Sequence, residues 1–180
     1  DYVDEIVLGL DKNRVSWSKN KFTFDESKLW TELNDIDSDG KITIIEEDFV
    51  KSDKAIENDN FERNYLKEQC SYDWIFSFDA DEELLNAHDF FVNYLPLVEK
   101  YYNTCDIMMT WATPFKTIED KTLVICENDG QAFLKEPQGV VTSKDSTYVF
   151  ARWTDKCQSD SKKLMSPLIA LHWSLCRSQS

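Results

Sequence analysis

The chain has 180 residues, of which 42% are hydrophobic and 13% aromatic, and its formal net charge is −14. That length and apolar content suit one globular domain with a substantial core and exclude a disordered chain. So acidic a surface repels phosphate backbones and anionic membranes over roughly 8–10 Å, which argues against nucleic acid as a partner.

Val3 to Leu10 carries the apolar run Ile6-Val7-Leu8 and stops at Asp11-Lys12-Asn13, a strand entering a loop. Phe24 to Leu33 is predicted as a helix, with Asp25 or Ser27 as cap and Leu29, Trp30 and Leu33 on one face. Lys41 to Val50 reads as a strand through Ile42, Ile44 and Ile45, and Asp59 to Cys70 as a helix grouping Phe61, Tyr65 and Leu66. Tyr72 to Phe78 is nearly continuous in apolar and aromatic residues, which predicts a central strand covered on both faces. It ends abruptly at Asp79-Ala80-Asp81-Glu82-Glu83. Leu84 to Tyr102 has helical period, with Pro96 expected to kink or divide it. Strands are expected at 107–113, 122–126, 132–134, 148–153 and 168–173. Strand and helix alternate in the first half, so the fold class is α/β with parallel strands, in one domain spanning 1–180.

Five cysteines at 70, 105, 126, 157 and 176 show no zinc-knuckle spacing. Several, including Cys126, lie in apolar runs. They read as buried free thiols in a reducing compartment, hence a cytoplasmic setting. No stretch reaches the roughly 18–20 apolar residues of a membrane span.

Asp79 and Asp81 are two apart, so in extended backbone they project to one side. Carboxylates so close repel unless a cation lies between them, and hard oxygen ligands suit Mg²⁺ or Mn²⁺. Their place at a strand's carboxyl end is where open α/β sheets bind ligands. A polar loop following a strand accounts for the triplet equally well.

The flanks add to this. Asn58-Asp59-Asn60-Phe61-Glu62-Arg63-Asn64-Tyr65-Leu66 leads through Cys70 to Asp73-Trp74-Ile75-Phe76-Ser77-Phe78 and Asp79-Ala80-Asp81-Glu82-Glu83-Leu84. This order resembles the family-2-like glycosyltransferases of GT-A fold. Asp4 to Asp11 is similar to that family's second strand, and Ser166 to Ser174 to the strand bearing its metal-binding histidine. The resemblance implies a mixed, largely parallel central sheet flanked by helices, with the family's first strand expected upstream of residue 1. It implies metal ligation by Asp79, Asp81 and His172, and nucleotide-sugar binding by Asp11, Arg63, Asp79 and Arg177. It also implies Mn²⁺ or Mg²⁺ as cofactor, a nucleoside-diphosphate sugar (a UDP-sugar) as donor, and a glycan, lipid or protein hydroxyl as acceptor. For the catalytic base, Glu127, Asp129 and Asp155 are candidates, although Glu127-Asn128-Asp129-Gly130 also reads as a hairpin turn.

Three other readings compete. Asp35-Ile36-Asp37-Ser38-Asp39-Gly40-Lys41-Ile42-Thr43-Ile44-Ile45-Glu46 fits an EF-hand calcium loop, with acids at loop positions 1, 3, 5 and 12 and glycine at 6. Against it, no second loop of this pattern occurs, and the β-branched residues after Gly40 favour a strand. A phosphohydrolase or nucleotidyltransferase would use the same carboxylates, but the chain has no Gly-rich phosphate loop. A non-catalytic sugar-binding relative is the third.

Overall fold

A computed structural model describes residues 2–126, 129, 134–156 and 162–173. The chain opens with a strand-helix-strand unit. Strand β1 (Ile6–Asp11) and strand β2 (Ile42–Glu47) run parallel, paired from Ile6↔Ile42 to Asp11↔Glu47, with helix α1 (Glu26–Ile36) between them. Helix α1 starts where its cap predicts: the Asp25 carboxylate accepts the Lys28 amide at 3.0 Å. Leu29, Trp30 and Leu33 are half-buried, whereas the other positions from Glu26 to Ile36 are exposed.

Helix α2 (Ala55–Gln69) is embedded rather than superficial, and Asn58, Asp59 and Lys67 are buried within it. Each has compensation. Asn58 accepts from the Ser52 amide at 2.7 Å and donates to the Trp17 and Ser52 carbonyls, which offsets its desolvation. Fully buried Phe49 packs against Phe61 and Tyr65 of α2, with ring centroids at 6.5 and 5.8 Å.

Strand β3 (Trp74–Phe76) leads to strand β4 (Glu82–Leu84), a π-helical segment (Asp89–Tyr94) and helix α3 (Leu95–Tyr101). Strand β5 (Asp106–Ala112), hairpin β6 (Pro114–Ile118) and β7 (Lys121–Val124), and strand β8 (Leu134–Ser143) follow. Strands β9 (Tyr148–Phe150) and β10 (Trp153–Thr154) form a second hairpin, and strand β11 (Lys163–His172) comes last. Five of these strands make one sheet in the order β3-β8-β5-β11-β4. The core lies between this sheet and the helical segment, where Phe90, Val98, Cys105, Ile107, Met109, Val140 and Val141 cluster.

Several expectations need correction. Only β5 and β11 are parallel in the five-stranded sheet; β3–β8, β5–β8 and β11–β4 are antiparallel. Parallel pairing holds in the N-terminal unit, where a helix supplies the crossover, whereas in the second half strands far apart in sequence meet antiparallel. Strand β3 is three residues long and, among the described residues, pairs with β8 alone, so it is not central. Leu84 belongs to β4, and the helix begins at Asp89. The Leu95 amide bonds to the Phe90 carbonyl five residues back. This widened turn directly precedes Pro96, which has no amide to donate. Cys105 is buried and Cys70 half-buried, but Cys126 is exposed beyond the end of β7; Cys157 and Cys176 lie outside the described residues.

Candidate functional site

The acidic turn is built by its neighbours. The Ser77 amide continues the β3–β8 ladder to the Val140 carbonyl at 2.8 Å. The chain then folds back: the Glu82 amide bonds the Asp79 carbonyl at 3.0 Å, and the Glu82 carboxylate accepts the Asp79 amide at 2.8 Å. Glu82 pairs with His172 in the β4–β11 ladder, and the Trp173 amide donates to the Asp81 carbonyl at 2.8 Å. This ladder brings His172 Nε2 to 3.6 Å from Asp81 Oδ2, both side chains about one-fifth exposed. The Trp111 ring lies against His172 at 4.9 Å.

Asp79 lies between two buried arginines. Arg63 Nη2 reaches its oxygens at 3.0 and 3.2 Å, and Arg152 Nη2 reaches Oδ2 at 3.0 Å. Arg63 also donates to Asp59 at 2.6 Å and to the Ser77 hydroxyl at 2.9 Å. Arg152 donates to Glu82 Oε2 at 2.5 Å and to the Ser77 carbonyl, and stacks over Trp111 at 5.2 Å.

Burial shifts these groups in different directions. It would raise the Asp79 carboxyl, but Arg152 and Arg63 outweigh it and hold the group below the usual carboxylate range. Burial dominates at Glu82, which rises to about 6 despite Arg152; its Oε1 is buried with no hydrogen-bond partner. Asp59 is also pushed up by burial, against the pull of Arg63.

The residues fit a divalent cation in two respects. With all groups ionised, the carboxylates Asp59, Asp79, Asp81 and Glu82 exceed the guanidiniums Arg63 and Arg152 by two charges, the charge a divalent ion neutralises. The 3.6 Å separation of Asp81 and His172 exceeds a hydrogen bond. A carboxylate and an imidazole converging in this way suit Mn²⁺. Among the described residues, no group of three or more His, Cys, Asp or Glu side chains is gathered for a metal. Asp79 faces the arginines.

The other candidates are placed as follows. Asp11 is buried, and its carboxylate accepts the amides of Asn13, Val15 and Phe49 at 2.9, 3.0 and 2.9 Å, pinning the loop after β1. Beside it opens a cleft of about 260 Å³ lined by Leu10, Val15, Trp17, Phe22 and Glu62 among others. The Trp17 indole donates to Glu62 at 2.5 Å on its wall. Arg63 is engaged by Asp59, Ser77 and Asp79. Asp155 staples β9 to β10, accepting the Thr147 amide at 2.8 Å. Asp129 is exposed. Glu127 and Arg177 lie outside the described residues.

The calcium-loop pattern folds as a helix-to-strand turn. Asp35 and Ile36 end α1, Asp37 accepts the Lys41 and Ile42 amides at 2.7 and 3.0 Å, and Glu46 pairs with Arg14 at 3.0 Å on β2. Gly40 has φ +66°, which this turn requires as much as a calcium loop would.

Sequence reasoning missed Arg152 and Trp111. The signal for Arg152 was available: it is one of four arginines in the chain and sits inside Tyr148-Val149-Phe150-Ala151-Arg152-Trp153. A guanidinium in so apolar a segment needs buried acids. No protein-family model matches this chain, and no curated protein matches it either. Among the described residues, no helix is long and apolar enough to cross a membrane.

Proposed function

We infer that this chain is a metal-dependent glycosyltransferase domain of GT-A type, moving a sugar from a nucleoside-diphosphate donor, a UDP-sugar by resemblance, to an acceptor hydroxyl. The observation that carries this reading is the meeting of Asp81 and His172, from distant parts of the chain, just beyond an Asp79 held between Arg63 and Arg152.

In this reading Asp81 and His172 hold Mn²⁺ or Mg²⁺. The cation supplies Lewis-acid neutralisation of the charge on the departing diphosphate. Asp79 stays ionised because two guanidiniums stabilise its charge, and in this reading its carboxylate accepts a donor hydroxyl. The cleft beside Asp11, with Trp17 and Phe22 on its walls, has the apolar lining that a nucleoside needs. The acceptor is a glycan, lipid or protein hydroxyl.

Thermal unfolding with Mn²⁺, Mg²⁺ or Ca²⁺, each with and without UDP, GDP or ADP, tests the reading. A ligand at a hundredfold excess over its Kd stabilises by about 2.7 kcal/mol. The expected result is a shift that needs Mn²⁺ and one nucleotide together. A shift with Ca²⁺ alone, indifferent to nucleotide, sinks the reading in favour of the loop at 35–46. Asp81→Ala should lower metal-dependent turnover by about 100-fold or more while leaving the far-UV circular dichroism unchanged; full activity in that variant overturns the metal assignment.

A further inference from the structure

Arg152 reaches the site by an unusual route. It follows Ala151, whose φ of +48° lies in the left-handed region that non-glycine residues seldom adopt. The turn carrying both residues presses on β8 at Gly139, where an added Cβ would stand 2.5 Å from the Arg152 carbonyl oxygen. Strained backbone and a position closed to side chains thus combine to aim one side chain inward. That side chain is 2% exposed.

The target of that side chain is the backbone and flanks of the acidic turn. A single guanidinium bonds the Ser77 carbonyl before the turn, the Asp79 carboxylate within it and the Glu82 carboxylate at its end. It does not bond Asp81 in these contacts; it brackets it. The Trp111 ring, which lies tilted against His172, is under the same guanidinium. Arg152 therefore touches the immediate supports of both Asp81 and His172.

We propose that Arg152 is a positioning residue, which sets the separation and orientation of Asp81 and His172 for a divalent cation; the inference rests on the reading of that pair as a metal site. The alternative is that Arg152 merely balances buried charge, in which case variants that keep that charge leave cation binding unchanged. Loss of positioning weakens it, because outer supports of metal ligands typically matter about 10–100-fold in affinity. Lysine keeps the charge but cannot span three acceptors in the plane of a guanidinium.

The test is Mn²⁺ binding to the 180-residue chain, read from the EPR signal of the free ion, for wild type, Arg152→Lys and Gly139→Ala. Circular dichroism checks that each is folded. Gly139→Ala keeps the guanidinium and its charge and presses first on the Arg152 carbonyl of the turn that aims it, so it decides the question if Arg152→Lys does not fold. The expected result is Mn²⁺ affinity about 10-fold or more weaker in the folded variants. Unchanged or tighter affinity overturns the positioning role while leaving the metal site standing. A wild-type chain that takes up no Mn²⁺ overturns the metal reading itself, and the positioning role falls with it.

Discussion

Two acidic loops in this chain match metal-binding patterns, and they differ in where their carboxylate oxygens go. In the loop from Asp35 to Gly40, the acids serve the backbone: Asp37 caps the turn through two amides, and the flanking charges stay at the surface. In the turn from Asp79 to Glu82, Asp79 and Glu82 face the buried Arg63 and Arg152, and a histidine arrives from β11 beside Asp81. The first loop is the closer match to a motif. The second gathers its charge from distant elements: Asp79 and Glu82 meet Arg63 and Arg152, and Asp81 meets His172. The match of a pattern to a motif therefore does not say what its carboxylates face in the fold.

The largest effect expected from breaking this contrast is at Arg63. Arg63→Met strips the partner from buried Asp59 and leaves half-buried Asp79 with Arg152 alone, and uncompensated buried charge of this kind costs about 3–5 kcal/mol. Urea denaturation should show it as a lower midpoint; a change within about 0.5 kcal/mol would mean that the cluster is far more hydrated than its burial indicates.

Next is the alkaline limb of stability. Burial raises the Tyr148 phenol, which bonds Ser77 near the same cluster, from 10 to about 12. The folded state holds this proton more tightly than the unfolded chain does. The contribution is therefore complete below pH 10 and is lost as the pH rises through 12. Two units correspond to about 3 kcal/mol. Tyr148→Phe should flatten this part of the stability curve relative to wild type. Equal slopes in the two proteins would place the phenol in contact with water.

The smallest effect belongs to the first loop. Asp37→Ala removes the side-chain acceptor of two backbone amides, those of Lys41 and Ile42, and should cost about 1 kcal/mol, with the Mn²⁺ response unchanged. If it abolished a cation response that Asp81→Ala left intact, the roles of the two loops would be exchanged.

The chain's local chemistry determined a good part of this outcome. Asp25 started α1, Ile6 to Leu10 and Ile42 to Ile45 were legible as strands, and β-branched residues after Gly40 marked a turn into a strand. The break after Phe78 placed Asp79 and Asp81 at a strand's end. All of these depend on residues within a few positions of each other, where period and capping leave one favoured conformation. Tertiary structure alone decided the rest. Whether β3 was central or peripheral, whether its partner ran parallel, and that Arg152 lay beneath the acidic turn depended on pairings between residues more than sixty positions apart. Such pairings are set by which strands share the core, and no local pattern carries them. Arg152 states the limit most clearly: its sequence neighbours say only that it is buried, and the fold says against which carboxylates.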